Sequence, residues 1–117
     1  ATLISRMDPA QRMDRDQVKV VVNHAGDALY FSRATIPHAR DDQPAVYFRH
    51  VGLYAFRMTA LRRFVALGPG RLEQTEKLEQ LRLLENGIPI HVVTTKHESI
   101  GVDRPEDLDV VTRILSE

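Results

Sequence analysis

The sequence predicts an α/β fold in which helices flank a mixed β-sheet that contains an antiparallel hairpin. Short β-branched runs alternate along the chain with segments of helical periodicity, a pattern typical of a sheet covered by helices. Two of these runs are joined by a short turn, which makes part of the sheet antiparallel. At 117 residues the chain fits one domain and buries about two thirds of its unfolded surface.

Strands are predicted over 17–23, 27–33, 47–57 and 89–95. The first two form the hairpin, because Gly26 between them takes the positive φ that a tight turn requires. The segment 34–45 has two prolines and several charges, so it is predicted to be a loop.

Helices are predicted over 57–67, 71–87 and 103–117. The first places Leu61, Phe64 and Val65 at helical spacing, and Gly-Pro-Gly at 68–70 ends it. The second ends at Asn86-Gly87. Its stripe of apolar residues consists of Leu72, Leu78, Leu81 and Leu84. In the last predicted helix, over 103–117, the residues expected to face the core are Leu108, Val111, Ile114 and Leu115.

Composition excludes several classes of function. Sixteen basic and sixteen acidic residues leave no net charge, so the basic surface of a nucleic-acid binder is missing and no nucleic-acid partner is expected. No apolar run approaches the roughly 20 residues that span a membrane. The chain has no cysteine, which excludes disulfides and cysteine nucleophiles. Its histidines show no metal spacing, and no phosphate-loop or serine-nucleophile motif is present.

The strand at 47–57 has an unusual face. Alternation places Val51, Leu53 and Ala55 on an ordinary apolar face. The other face carries Phe48, His50, Gly52, Tyr54 and Phe56. Four residues of strand separate His50 from Tyr54 by about 13 Å, which leaves room for a sugar-sized ligand over the glycine. The alternative is a core strand with two satisfied polar groups and a glycine against which another backbone packs.

Three further positions suggest ligand chemistry, each with a plainer alternative. Arg33 at a strand end offers a guanidinium fork for a carboxylate or phosphate, although such arginines are usually solvated. Glu76, Glu79 and Gln80 share one helix face, which is solvated by default. Asp103 precedes a helix start and is either its N-cap or a hard oxygen ligand for Mg²⁺.

Four stretches of the sequence, taken together, are specific for one protein family. In order and spacing, ALYFSRATIP, YFRHVGLYAFR, LEQTEKLEQLRLLENG and GVDRPEDL resemble the C-terminal half of the 3-deoxy-manno-octulosonate cytidylyltransferase (CMP-Kdo synthetase) family. The resemblance implies a Rossmann-like nucleotide-diphospho-sugar transferase fold. It also implies the transfer of CMP from CTP to Kdo, with release of pyrophosphate, for lipopolysaccharide assembly. Members use Mg²⁺, act in the cytoplasm and are usually homodimers.

The resemblance also assigns roles to residues. Arg33, His50, Tyr54, Glu79 and Gln80 match positions around the Kdo pocket. Asp103 matches a metal-binding aspartate, and no other catalytic group is implied.

The family's nucleotide-binding half and a second metal-binding aspartate have no counterpart in these residues. The chain is therefore interpreted as the C-terminal, sugar-binding and dimerising portion of a single-domain enzyme, inactive by itself. Two rival hypotheses remain open: a cytidylyltransferase for sialic acid, and a fragment that only dimerises.

Overall fold

The computed structural model describes residues 1–41 and 45–95. Over these residues the strands are β1 (Thr2–Met7), β2 (Lys19–Val22), β3 (Ala28–Ser32), β4 (Tyr47–Tyr54) and β5 (Val92–Thr95). The helices are α1 (Met58–Ala66), α2 (Arg71–Glu76) and α3 (Leu81–Glu85), with a 3-10 turn at Pro9–Gln11. The predicted helix at 103–117 lies outside the described residues.

The five strands form one mixed sheet in the order β3-β2-β4-β1-β5. β1 is antiparallel to β4 and parallel to β5, while β2 and β3 form the predicted hairpin. Gly26 in the hairpin turn has a φ of 86°. The side chain of Asn23 accepts hydrogen bonds from the backbone N–H groups of Ala25 and Asp27 and holds the turn closed. The predicted mixed α/β sheet is confirmed.

β1 was not predicted, although it lies between β4 and β5 inside the sheet. Residues Thr2–Ser5 are all buried, which requires cover on both faces of the strand. A strand buried on both faces lacks the alternation of apolar and polar residues that identifies an exposed one. This short run, interrupted by Ser5 and Arg6, also lacks the continuous apolar character of a core strand.

The main core lies between the sheet and α3. Its sheet side includes Ile4, Val20 and Phe31, and its helical side includes Leu81 and Leu83. The predicted leucine stripe is only partly right, because Leu78 and Leu81 are buried, Leu84 is half-buried, and Leu72 is exposed.

α1 is more peripheral than its periodicity predicts. Phe64 packs against the edge of the core as expected. Val65 is 73% exposed and Leu61 is 37% exposed, so the apolar residues that helical spacing groups together do not form one buried face. Gly-Pro-Gly at 68–70 follows the end of α1, as predicted.

The single helix predicted over 71–87 is two helices. α2 ends at Glu76, Lys77 adopts a left-handed φ of 58°, and α3 begins at Leu81. Arg33 donates from Nε to the carbonyl of Glu76 at 2.9 Å and from Nη2 to that of Lys77 at 3.4 Å. Carbonyls at a helix C-terminus need such external donors, so Arg33, the residue after β3, stabilises the break.

α2 and α3 are joined across the break by a partly buried ion pair. Arg82 donates from Nε and Nη2 to the two carboxylate oxygens of Glu73, at 2.9 and 2.7 Å. This bidentate geometry fixes the orientation of both side chains. Glu73 also accepts the backbone N–H of Gly70, so the same carboxylate caps the start of α2.

Candidate functional site

The candidate site is shaped by a bulge in β4. Leu3 of β1 pairs with Val51, but the neighbouring residue Thr2 pairs with Tyr54. Two residues of β4, at 52–53, are therefore inserted opposite a single step of β1. Such a bulge interrupts the ladder and re-aims the side chains beside it.

The bulge brings His50 and Tyr54 together. Their partners Ile4 and Thr2 are two residues apart on β1, which corresponds to about 7 Å of regular strand. The two rings form an edge contact with centroids 5.2 Å apart. The predicted 13 Å gap, with a ligand lying over Gly52, is therefore wrong. The contact between the two rings leaves no space for a ligand between them.

The alternative interpretation, in which another backbone packs closely against Gly52, is wrong as well. Gly52 is exposed, and a Cβ built on it would meet nothing within 4 Å. No backbone within the described part of the chain packs closely against this glycine. Its place in the bulge accounts for the interrupted alternation on this strand.

His50 is held from three sides. Its Nε2 lies 2.8 Å from Oγ1 of Thr2, and its Nδ1 lies 3.5 Å from Nε2 of Gln80. The ring of Phe31 packs against it, with centroids 4.9 Å apart. Burial lowers the pKa of His50 from 6.5 to about 4, because a charged imidazolium would lose its hydration here. His50 is therefore neutral at physiological pH.

Tyr54 continues a row of rings away from His50. Its ring stacks on Phe56 at 5.6 Å, Phe56 contacts Phe64, and the guanidinium of Arg82 lies 4.8 Å above the Phe64 ring. Burial, and then the negative charge of Glu79, raise the pKa of the Tyr54 hydroxyl. The hydroxyl thus keeps its proton and is able to donate a hydrogen bond.

Arg33 has more structural contacts than the sequence suggests. Besides its two bonds to the end of α2, its Nη1 donates to the carbonyl of Arg15 at 3.1 Å. Its backbone N–H donates to Oε1 of Glu76 at 3.0 Å. A guanidinium has five N–H groups, and three of those of Arg33 donate to carbonyls within the described part of the chain.

Glu76, Glu79 and Gln80 do not share one helix face, because the break separates them. Burial pushes the pKa of Glu76 upward, but hydrogen bonds from Ser32, Arg33 and Tyr30 outweigh it and hold the pKa below its ordinary value. Gln80 is buried against His50, while Glu79 is exposed. The predicted common face is therefore wrong.

A cleft of about 720 Å³ opens beside Tyr54. Its lining is mostly apolar and includes Phe56, Leu83, Ile88 and Ile90. Of the residues predicted to bind a ligand, Tyr54 alone lines it. This apolar lining offers few groups for polar contacts, so the polar side chains of His50, Tyr54 and Gln80 are the better candidate site for a polar ligand.

The described residues contain neither a cluster of metal-ligating side chains nor a membrane-spanning helix. No group of three or more histidine, aspartate or glutamate side chains there is placed to hold a metal ion. Asp103, the predicted metal ligand, lies outside this range. None of the helices in the described ranges is long and apolar enough to cross a membrane.

Thr2 is the site residue that sequence reasoning missed. Its side chain is fully buried and contacts both His50 and the carbonyl of Leu53. The only local signal was a β-branched residue at the start of a short apolar run. Its position beside His50 depends on strand pairing between residues nearly fifty positions apart.

Comparisons with known proteins agree with this architecture. The profile of the cytidylyltransferase family matches residues 3–100. The chain is 59% identical over 121 residues to the 3-deoxy-manno-octulosonate cytidylyltransferase of Nitratidesulfovibrio vulgaris, covering 100% of this chain and 48% of that protein. It is 59% identical over 117 residues to the enzyme of the same name from Lawsonia intracellularis, covering 99% of this chain and 46% of that protein.

A solved structure is similar as well. It is the CMP:2-keto-3-deoxy-manno-octonic acid synthetase in complex with CTP, with a TM-score of 0.80 and 41% identity. The match covers 98% of this chain and 48% of that one. The chain therefore spans about half the length of the relatives that it matches.

The lowered pKa of His50 predicts a pH-dependent stability. Between pH 6.5 and about 4 the unfolded state binds a proton at this ring that the folded state does not, so the free energy of unfolding falls as the pH falls. At pH 4 the loss amounts to about 3 kcal/mol at most. His50→Gln should remove this part of the slope in denaturant unfolding.

The difference between wild type and His50→Gln should be constant above pH 7.5, where the ring is neutral in both states. Identical slopes for the two proteins between pH 4 and 6.5 would show that the ring is not shielded from water.

Proposed function

Because the chain belongs to the cytidylyltransferase family, we propose that it forms the acceptor-sugar site of a CMP-Kdo synthetase, which makes CMP-Kdo for lipopolysaccharide biosynthesis. One observation carries the proposal. His50 and Tyr54 from β4 lie together with Gln80 and Glu79 from the turn before α3, so two distant segments build one polar group. These are four of the five positions that the sequence relates to Kdo.

The proposed reaction transfers the cytidylyl group of CTP to the anomeric hydroxyl of Kdo. The hydroxyl oxygen forms a bond to the α-phosphorus, the bond from that phosphorus to the bridging oxygen breaks, and pyrophosphate leaves. The hydroxyl proton is lost to the surroundings. Catalysis of such a transfer depends mainly on position and charge neutralisation, so no covalent nucleophile is needed.

The residues of this chain would bind and orient the sugar. Tyr54 supplies a hydroxyl that stays protonated, and Glu79 supplies an exposed carboxylate that accepts from sugar hydroxyls. Gln80 and His50 add polar groups on packed elements, which hold them in place. The ring of His50 is neutral. It therefore does not repel the partial positive charge on the hydrogen of a sugar hydroxyl.

Arg33 would have two roles. Three of its N–H groups stabilise the end of α2 and the loop before β2, which is a structural role. The remaining two would pair with the Kdo carboxylate. The guanidinium is pre-oriented by its backbone contacts, so little side-chain entropy is lost on binding.

Mg²⁺ is the proposed cofactor, with Asp103 as one ligand. A carboxylate oxygen is the ligand type that Mg²⁺ prefers. When bound, the ion would neutralise the charge of the triphosphate and of the departing pyrophosphate.

We further propose that the enzyme is a homodimer and acts in the cytoplasm. The exposed apolar residues Met58, Leu61 and Val65 follow one side of α1, and an exposed stripe of this kind is typical of a contact surface. The stripe supports association and does not depend on the sugar site.

The sugar site is best tested with Tyr54→Phe. Activity tests use a polypeptide of the relatives' full length that carries these 117 residues, called the full-length protein below. The substitution keeps the ring contacts with His50 and Phe56 and removes only the hydroxyl. We expect the KM for Kdo to rise about tenfold, the loss of roughly one hydrogen bond, with the KM for CTP unchanged.

Tyr47→Phe is the matched control, because Tyr47 is buried on the opposite face of the same strand. It should leave both KM values unchanged. A Tyr54→Phe enzyme that loses affinity for CTP and keeps its KM for Kdo would place this residue in a different site. Arg33→Lys is less informative, because it also weakens the end of α2.

Asp103→Asn separates the two hypotheses for this carboxylate. Asparagine caps a helix about as well as aspartate, so the thermal stability should stay near that of the wild type. A neutral amide replaces a charged metal ligand poorly, so turnover should fall at least about a hundredfold and recover in part at high Mg²⁺. Full turnover in this variant would leave Asp103 as a cap only.

A further inference from the structure

The Thr2 hydroxyl lies between an imidazole nitrogen and a carbonyl oxygen. Its Oγ1 is 2.8 Å from Nε2 of His50 and 2.7 Å from the carbonyl oxygen of Leu53. Thr2 is fully buried. These two short contacts therefore account for the hydrogen bonding of this hydroxyl.

The bulge provides the second contact. Leu53 is one of the two inserted residues of β4, and bulged residues stand outside the regular ladder. Its carbonyl oxygen accepts a hydrogen bond from the Thr2 hydroxyl. A carbonyl only accepts, so the hydroxyl must donate its single proton to Leu53.

The proton count then fixes the state of the ring. Once the hydroxyl donates to Leu53, it offers only lone pairs to His50, so Nε2 must carry a hydrogen and donate it to Oγ1. The ring is neutral at physiological pH because burial lowers its pKa to about 4. Nδ1 is then bare and can accept a hydrogen bond, which agrees with its 3.5 Å contact with the amide nitrogen of Gln80.

We propose that Thr2 is a positioning residue that holds His50 in the Nε2–H tautomer, so that Nδ1 accepts a hydrogen bond from a sugar hydroxyl. The 3.5 Å contact with Gln80 is long for a hydrogen bond, so a better-placed hydroxyl would displace it at little cost. His50 thus selects a donor on the ligand. The ligand part of this inference rests on the proposed function, whereas the tautomer does not.

The tautomer is measured first, in the full-length protein without substrates. In a neutral imidazole the protonated and bare nitrogens give well-separated ¹⁵N resonances, and the His50 signals are those missing from His50→Gln. We expect Nε2 to be the protonated nitrogen at pH 7.5. A proton on Nδ1, or a charged ring, would overturn the proposal outright.

Thr2→Val and Thr2→Ser then form a matched pair. Valine keeps the shape of threonine without the hydroxyl, so the tautomer should shift towards Nδ1–H and the KM for Kdo should rise about tenfold, with kcat within about twofold. Serine keeps the hydroxyl and should restore both the tautomer and the KM. Thr2→Val with the wild-type tautomer and KM would refute the role of Thr2.

One outcome separates this inference from the proposed function. If Thr2→Val shifts the tautomer and leaves the KM for Kdo unchanged, Thr2 does control the ring, and the assignment of His50 to the sugar site is wrong. If Thr2→Val does not fold, the wild-type spectrum still decides the tautomer, and Thr2→Ser must keep it.

Discussion

The pairing of β1 with β4 is the constraint on which the candidate site depends. Two residues of β4 are inserted opposite one step of β1. His50 and Tyr54, four residues apart on β4, therefore pair with residues only two positions apart on β1. Without the bulge their rings would be separated by about 13 Å of strand. With it, they are in contact at 5.2 Å, and the carbonyl of Leu53 faces Thr2. The polar group that His50 and Tyr54 form is therefore a consequence of an irregularity in the sheet.

A second constraint places the helical side of the site. Lys77 adopts a left-handed conformation, which costs about 1–2 kcal/mol for a residue with a side chain. The hydrogen bond from Nε of Arg33 to the carbonyl of Glu76, at 2.9 Å, offsets this cost, since a hydrogen bond to a charged group is worth about 1.5–3 kcal/mol. The break ends α2 early and turns Gln80 towards the sheet, where it meets His50. Arg33 thus helps to position the helical residues of the candidate site.

Local patterns in the sequence predicted most of the elements. The hairpin, β4, α1 and β5 each follow from a turn residue or a run of the correct period, and the turn at Gly26 has the predicted positive φ. The features that the sequence did not predict depend on long-range contacts. β1 is stabilised by strands distant in sequence, and the end of α2 is stabilised by an arginine more than forty residues earlier. No glycine or proline marks that end, so periodicity alone extended the helix to residue 87.

The same distinction applies to the site. The residue types of His50, Tyr54, Glu79 and Gln80 identified them as candidates, but the distances between them depend on the bulge and the helix break. The sequence did not identify Thr2 as a site residue, because its role depends only on the residues that it contacts in the fold. A crystal structure of the full-length protein with Kdo and a non-reactive CTP analogue tests the account most directly. We predict a Kdo hydroxyl within hydrogen-bonding distance of Nδ1 of His50, with Tyr54 in the same pocket. Kdo bound elsewhere, with the contact between His50 and Gln80 undisturbed, would contradict the account.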